Sequence, residues 1–280
     1  MISYSNGRWI PSDEMAFPIV ADSVGSIRGY RIFTACKTVG GGIFRVEDHI
    51  RRLWDSAAEL RMNLPHSPNE LRGLLSEAVK KNAVLGSELL IEIFYTGGPA
   101  SANGTSPSGP AQLYILVLPL TPPTLETYRR GIALATFPYQ RPFPSIKLTF
   151  YVGAVIAHHT VVPQYNADLP LFVCPTRGDI LEGSIFNFFG VINNELVTPV
   201  CDGRILDGIT RRHVIDLART MNLGVRETVV SNIQDLHEAF ITSSTRNIVA
   251  VVRVDDRVIG SGSPGPITQR LMAAMPGQIS

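Results

Sequence analysis

Apolar residues recur along this chain in two alternating rhythms. Ile50, Leu53, Trp54, Ala57 and Leu60 return every three or four positions, which predicts a helix, with Asp48 as its N-cap. Pro65-His66-Ser67-Pro68 breaks it. A second amphipathic helix is expected over residues 69–84, with Leu71, Leu74, Leu75, Ala78 and Val79 inward. Helices are also expected over residues 152–165 and 210–221. Shorter β-rich or apolar runs predict strands at 30–38, 43–46, 89–95, 112–119, 132–137, 171–174, 186–192, 224–230, 239–242 and 249–254. Asn6-Gly7, Gly40-Gly41-Gly42 and Asn193-Asn194 mark turns. Residues 97–110 form a Gly/Ser/Pro-rich loop too long for a tight hairpin.

Helical and strand patterns alternate in both halves, which predicts an α+β (mixed α/β) protein of two domains. Thr121-Pro122-Pro123 is the best linker candidate, giving domains over 1–120 and 131–280 with a linker at 121–130. The 280 residues, 45% of them apolar, can fill two cores.

Charge and cysteine content exclude several classes. Lys and Arg number 25 against 24 acidic residues, a formal charge of +1, so neither a nucleic-acid partner nor docking to an anionic membrane is expected. Cys36, Cys174 and Cys201 are scattered, which argues against a disulfide framework or zinc ribbon and fits a reducing compartment. The first residues lack the basic and apolar regions of a signal peptide, and the longest clean apolar stretch, 113–118, is only strand length. A cytoplasmic protein is expected.

Only four lysines are present: Lys37, Lys80, Lys81 and Lys147. Lys147 follows a proline-rich bend between Ile146 and Leu148. An amine in apolar surroundings has a depressed pKa, which suits imine chemistry, although a snorkelling surface lysine fits the same context. Glu182 and Asn187 lie in the apolar run 181–189. A buried carboxylate there would need a partner such as a protonated heterocycle nitrogen; an exposed turn before the strand is the simpler reading. Asp207-Gly208-Ile209-Thr210-Arg211 runs into a helix whose N–H groups suit an anion, or are merely capped. Thr242-Ser243-Ser244-Thr245 is a hydroxyl cluster at a strand end. By periodicity Arg52 lies opposite the apolar face of its helix, as a solvated arginine would. His158-His159 has no second ligand pair at metal spacing, so no metal site is expected. No P-loop or Gly-x-Ser-x-Gly elbow is present.

Taken in order, these pieces resemble the class IV aminotransferases, the fold-type IV pyridoxal-phosphate enzymes. The matching residues are His49-x-x-Arg52-Leu53, Lys147 leading into Gly153-Ala154-Val155, Glu182-Gly183-Ser184-x-x-Asn187-Phe188 with Val197-x-Pro199, Gly208-Ile209-Thr210-Arg211 and Thr242-Ser243-Ser244-Thr245. They cover about residues 28–254. The resemblance implies a two-domain fold with a C-terminal pseudo-barrel, pyridoxal 5′-phosphate as cofactor and a homodimer. It implies that Lys147 bonds to the cofactor and shuttles the proton, and that Glu182 pairs with the ring nitrogen. Arg52, Ile209, Thr210, Ser244 and Ser243 would hold the phosphate, overturning the solvated reading of Arg52. Tyr151 would stand near the ring hydroxyl, and Asn187 would support the site.

The substrate is less sharply marked. The acid that D-amino-acid and branched-chain enzymes usually carry after an aromatic is replaced here by Thr34 in Phe33-Thr34, a pair seen in aminodeoxychorismate lyases and some (R)-amine transaminases. Arg28 resembles an arginine that takes the substrate carboxylate in less typical D-amino-acid transaminases; a structural role is equally open. Phe33 and Thr245 complete the expected substrate contacts. The reading is a transaminase moving an amino group from an amino acid to a 2-oxo acid, with D-amino acids favoured from the run 153–157 and the first hairpin. A branched-chain L-amino-acid enzyme, an (R)-amine transaminase and aminodeoxychorismate lyase are the alternatives. A non-catalytic cofactor-binding scaffold is disfavoured by the intact Lys147, Glu182 and Arg52.

Overall fold

The computed structural model describes residues 1–83 and 87–278. Val84, the expected end of the second helix, lies outside them. Contacts divide the chain into two compact units, Met1–Thr121 with Ile146–Phe150, and Pro122–Ser145 with Tyr151–Ser280.

The first unit opens with a hairpin of β1 (Ile2–Ser5) and β2 (Arg8–Pro11). Asn6 and Gly7, at φ 42° and 101°, supply the left-handed pair that a two-residue turn needs. There follow α1 (Ser23–Arg28), β3 (Arg31–Val39), β4 (Gly42–Ile43), α2 (Val46–Leu60), α3 (Pro68–Asn82), β5 (Leu89–Thr96) and β6 (Gln112–Pro119). The strands form an antiparallel sheet in the order β2-β1-β6-β5-β3-β4. Ile50, Leu53 and Ala57 of α2 and Leu71, Leu75 and Ala78 of α3 share one core with Ile32, Cys36, Ile91, Ile93 and Ile115 of the sheet. Alternation along the strands therefore sends Phe33, Lys37, Glu92 and Phe94 to the opposite face.

Both helix starts have identifiable causes. At α3, Ser67 accepts from the Glu70 N–H while Glu70 accepts from the Ser67 N–H, a reciprocal cap. At α2 the cap is Arg45, at φ 54°, rather than the expected Asp48. Asp48 sits inside the first turn and pairs with Arg45 at 2.5 Å.

The second unit holds α4 (Leu125–Arg130), β7 (Ile132–Pro138), α5 (Val152–Gln164), β8 (Leu169–Val173), β9 (Ile180–Gly183), β10 (Asn187–Ile192), β11 (Glu195–Pro199), α6 (Ile209–Thr220), β12 (Val225–Thr228), β13 (Glu238–Ser243), β14 (Asn247–Val254), β15 (Arg257–Val258) and α7 (Pro266–Ala274). Strands run β10-β13-β14-β7-β8-β9, and β9 returns to pair with β10. The sheet thus closes on itself, with β11 and β12 extending from β10.

Two departures from the expected organisation matter for the site. The segment Ile146–Phe150 joins the first unit because it pairs with β3: the Phe33 N–H donates to Lys147 O at 2.9 Å, and Ile32 bridges Leu148. The expected linker 121–130 contains α4, capped by Thr124 and anchored by Tyr128, which is buried and donates to Arg246 O at 2.9 Å.

Candidate active site

Closure of the second sheet creates a row of polar side chains. Glu182 of β9 is the register partner of Asn187 of β10, and Asn187 is the partner of Thr242 of β13. All three are buried. Glu182 is not in an exposed turn. Arg141 donates to Glu182 Oε1 from Nε at 2.9 Å and Nη2 at 2.6 Å. The Leu206 N–H and Asn187 Nδ2 reach Oε2 at 3.1 and 3.2 Å. The countercharge sought for a buried carboxylate is thus supplied within the chain.

The row continues to a helix start. Asn187 Nδ2 also donates to Leu206 O at 2.9 Å, and a Cβ placed on Gly208 would lie 1.9 Å from Asn187 Oδ1. Only glycine admits this approach. Gly208 is the N-cap of α6, and no side chain caps it. The N–H groups of Ile209 and Thr210 begin a twelve-residue helix there, a place favourable to an anion. Thr242 Oγ1 is buried with no hydrogen-bond partner, and such an orphan costs free energy unless a ligand satisfies it. Ser243 is buried and accepts from the Arg246 N–H at 3.2 Å; Ser244 and Thr245 are half-buried in the turn between β13 and β14. Tyr151 precedes α5 and packs against the cluster of Ala154, Ala157 and Phe172.

The lysine lies in the first unit. Lys147 Nζ sits 4.5 Å from the Phe33 ring centroid, on the sheet face away from the helices. Phe33 stacks on Phe94 at 5.6 Å. Glu92 belongs to the same face; burial raises its carboxyl above the ordinary value, and the Lys147 charge opposes the rise. Lys37 is a buried amine, brought down to about 8 by burial, whereas Lys147 is half-buried.

Arg52 is not solvated: it donates from Nη2 to Thr34 Oγ1, which is itself 2.7 Å from His49 Nδ1. Thr34 and Phe33 are neighbours on β3 whose side chains leave opposite faces, so Arg52 is tied to the core face and the Lys147 amine to the other. Arg28 ends α1, exposed, with Nε donating to Gly104 O at 3.3 Å.

Within the second unit, a buried carboxylate, an orphaned hydroxyl and an uncapped helix start suit a phosphorylated heterocycle; the first unit, taken by itself, holds an amine over an aromatic ring, which suits an aldehyde. The sequence model of the amino-transferase class IV family matches residues 31–254. The chain belongs to that family. It is a pyridoxal-phosphate-dependent aminotransferase, and the orphaned Thr242 hydroxyl beside the Gly208 cradle fits a bound group.

Relatives of this aminotransferase divide by substrate. It is 28% identical over 287 residues to the D-alanine aminotransferase of Bacillus licheniformis, covering 98% of this chain and 95% of the other. It is 26% identical over 246 residues to the branched-chain-amino-acid aminotransferase of Pseudomonas aeruginosa, covering 84% and 78%. Its fold resembles that of the T.th. branched-chain amino acid aminotransferase solved with pyridoxamine 5′-phosphate, with TM-score 0.84, 26% identity and 96% and 91% coverage. Among the described residues no group of three or more His, Cys, Asp or Glu could hold a metal, and no helix is long and apolar enough to cross a membrane.

Sequence reasoning missed Arg141 and Glu92. Arg141 stood in a proline-rich bend with nothing local to mark a partner 41 residues away. Glu92 carried a usable signal: one acid inside an apolar strand run, in register with the residues around Phe33.

Proposed function

We infer that this aminotransferase moves an amino group from a D-amino acid, with D-alanine as the representative donor, to a 2-oxo acid such as pyruvate or 2-oxoglutarate. The observation that carries the assignment of roles is the Lys147 amine held over the Phe33 ring. The choice of D-amino acids rests on the likeness of residues 153–157 and of the first hairpin to that subgroup, and the D-alanine aminotransferase relative spans nearly the whole chain.

When bound, pyridoxal 5′-phosphate supplies an aldehyde that receives the amino group and a ring that draws electron density from the substrate Cα. Lys147 Nζ would hold the cofactor and would serve as the base for the substrate Cα proton. Glu182 keeps a proton on the ring nitrogen, while Arg141 and Asn187 fix the orientation of its carboxylate. The N–H groups of Ile209 and Thr210, the hydroxyls of Ser243 and Ser244, and Arg52 hold the phosphate. Tyr151 would serve the ring hydroxyl. Phe33 and Thr245 would meet the substrate. The working form is a cytoplasmic homodimer, supported by Val152, Val155 and Ile156, which leave an apolar strip of α5 more than half exposed.

The second reading is a branched-chain L-amino-acid aminotransferase, favoured by the likeness to the T.th. enzyme's fold. Phe33-Thr34 keeps the lyase in view. The test is the visible absorption of the loaded enzyme on adding D-alanine or L-leucine. Loss of the band with D-alanine alone, with pyruvate formed in equal amount, supports the proposal. Loss with L-leucine alone moves the enzyme to the branched-chain group, and pyruvate released from aminodeoxychorismate without an amino acceptor marks the lyase.

A further inference from the structure

Arg31 is a second arginine in the hairpin region, and its surroundings differ from those of Arg28. It is the first residue of β3, two positions before Phe33, so both side chains leave the same face of the sheet. The segment carrying Lys147 pairs antiparallel with β3: Lys147 O accepts from the Phe33 N–H, and Arg31 O accepts from the Thr149 N–H at 3.4 Å. Lys147 is therefore opposite Phe33 and diagonal to Arg31, a separation of roughly 7 Å between such positions. A series of aromatic contacts links the two side chains. The Phe33 ring stacks on Phe94, Phe94 meets Phe17 edge-on at 5.5 Å, and the Arg31 guanidinium lies 3.7 Å from the Phe17 ring centroid.

The guanidinium is held through Nη2. Its Nη2 donates to Asp22 Oδ2 at 2.6 Å and to Ser26 Oγ at 3.2 Å. Asp22 is fully buried and also accepts from Thr96 Oγ1 at 2.6 Å and the Gly98 N–H at 2.9 Å, so it is an anchor rather than a mobile counterion. Arg31 Nε, by contrast, is buried with no hydrogen-bond partner. A buried donor without an acceptor is costly, and a charged one more so. A carboxylate oxygen is a strong acceptor for such a charged N–H.

We propose that Arg31 binds the carboxylate of the substrate, in the place given by sequence resemblance to Arg28. Arg28 is exposed and already donates from Nε to a backbone carbonyl. The amino group of an amino acid would take the place beside Lys147 Nζ, and its carboxylate lies two bonds away, toward the diagonal position that Arg31 holds. The inference rests on the transaminase reading, because that reading sets the amino group at Lys147.

The experiment is calorimetric titration of the cofactor-loaded protein with propionate, a carboxylate that has no amine to react. Wild type, Arg31→Gln, Arg31→Lys and Arg28→Ala are compared, with melting curves as the folding control. Arg31→Lys keeps a cation beside Asp22 but loses the planar donor at Nε. Propionate binding is expected to weaken about tenfold or more in both Arg31 variants and to hold in Arg28→Ala, as for loss of one charge-assisted bond. A purely structural role for Arg31 leaves Arg31→Lys at wild-type affinity, which overturns the inference. Weakening in Arg28→Ala alone overturns it too, as does a wild type that binds no propionate. A wild type that binds propionate but never transaminates sinks the functional reading instead.

Discussion

Arg141 grips Glu182 at Oε1 with two nitrogens, while the Leu206 N–H and Asn187 reach Oε2. Both side chains are almost wholly withdrawn from solvent. Losing one partner of such a pair strands a buried charge, at a cost of about 3–5 kcal/mol. Arg141→Met is expected to destabilise the protein by that amount, and Arg141→Met/Glu182→Leu to recover most of it. Chemical denaturation of the three proteins measures this. A double variant no more stable than the single would contradict it.

Gly208 and Asn187 are in such close approach that a methyl group cannot be added without moving one of them. Asn187 ties Glu182 to Leu206, so Gly208→Ala should disturb the carboxylate and the α6 start together. The expected cost is about 1–3 kcal/mol in stability, typical of an overpacked site. Cofactor affinity should also fall, read by titration of the apoprotein. Unchanged melting and unchanged affinity would show that the helix start is not a binding element.

Glu92 predicts a pH dependence with a definite sign. Burial raises its folded pKa above the ordinary 4.5, with Lys147 opposing. A carboxyl raised in the folded state contributes stability in acid that is lost as the pH climbs through the folded value. Glu92→Gln cannot ionise and keeps that contribution. The variant should therefore match the wild type below about pH 4 and melt higher than it at neutral pH. Melting curves at the two pH values check this; a variant that loses stability only at neutral pH reverses the sign.

Much of the fold was legible because it is local. The Asn6-Gly7 hairpin, the α3 start after Pro65-His66-Ser67-Pro68, and most long strands depend on residues within a turn or two of one another. What escaped depends on partners far along the chain. Glu182 read as an exposed turn because only closure of β9 between β8 and β10 buries it. Arg52 read as solvated because its partner is Thr34, on a strand eighteen residues earlier. The α1 segment is too short to show a period, and it is held by Asp22 bonding to Thr96 and Gly98 across the sheet. The resemblance implied a cofactor-binding role for Arg52 where periodicity pointed to solvent, and for Glu182 where the local run pointed to an exposed turn.

Lys147 is the central assignment, and the chain contains a rival. Lys37 is buried, and burial brings its amine down to about 8, which makes it a competent nucleophile. Borohydride reduction of the cofactor-loaded protein, followed by peptide mass mapping, separates the two. The account predicts one added pyridoxyl phosphate per chain, on the peptide containing Lys147, and none after Lys147→Ala. Label on the Lys37 peptide, or no label on either, would contradict it.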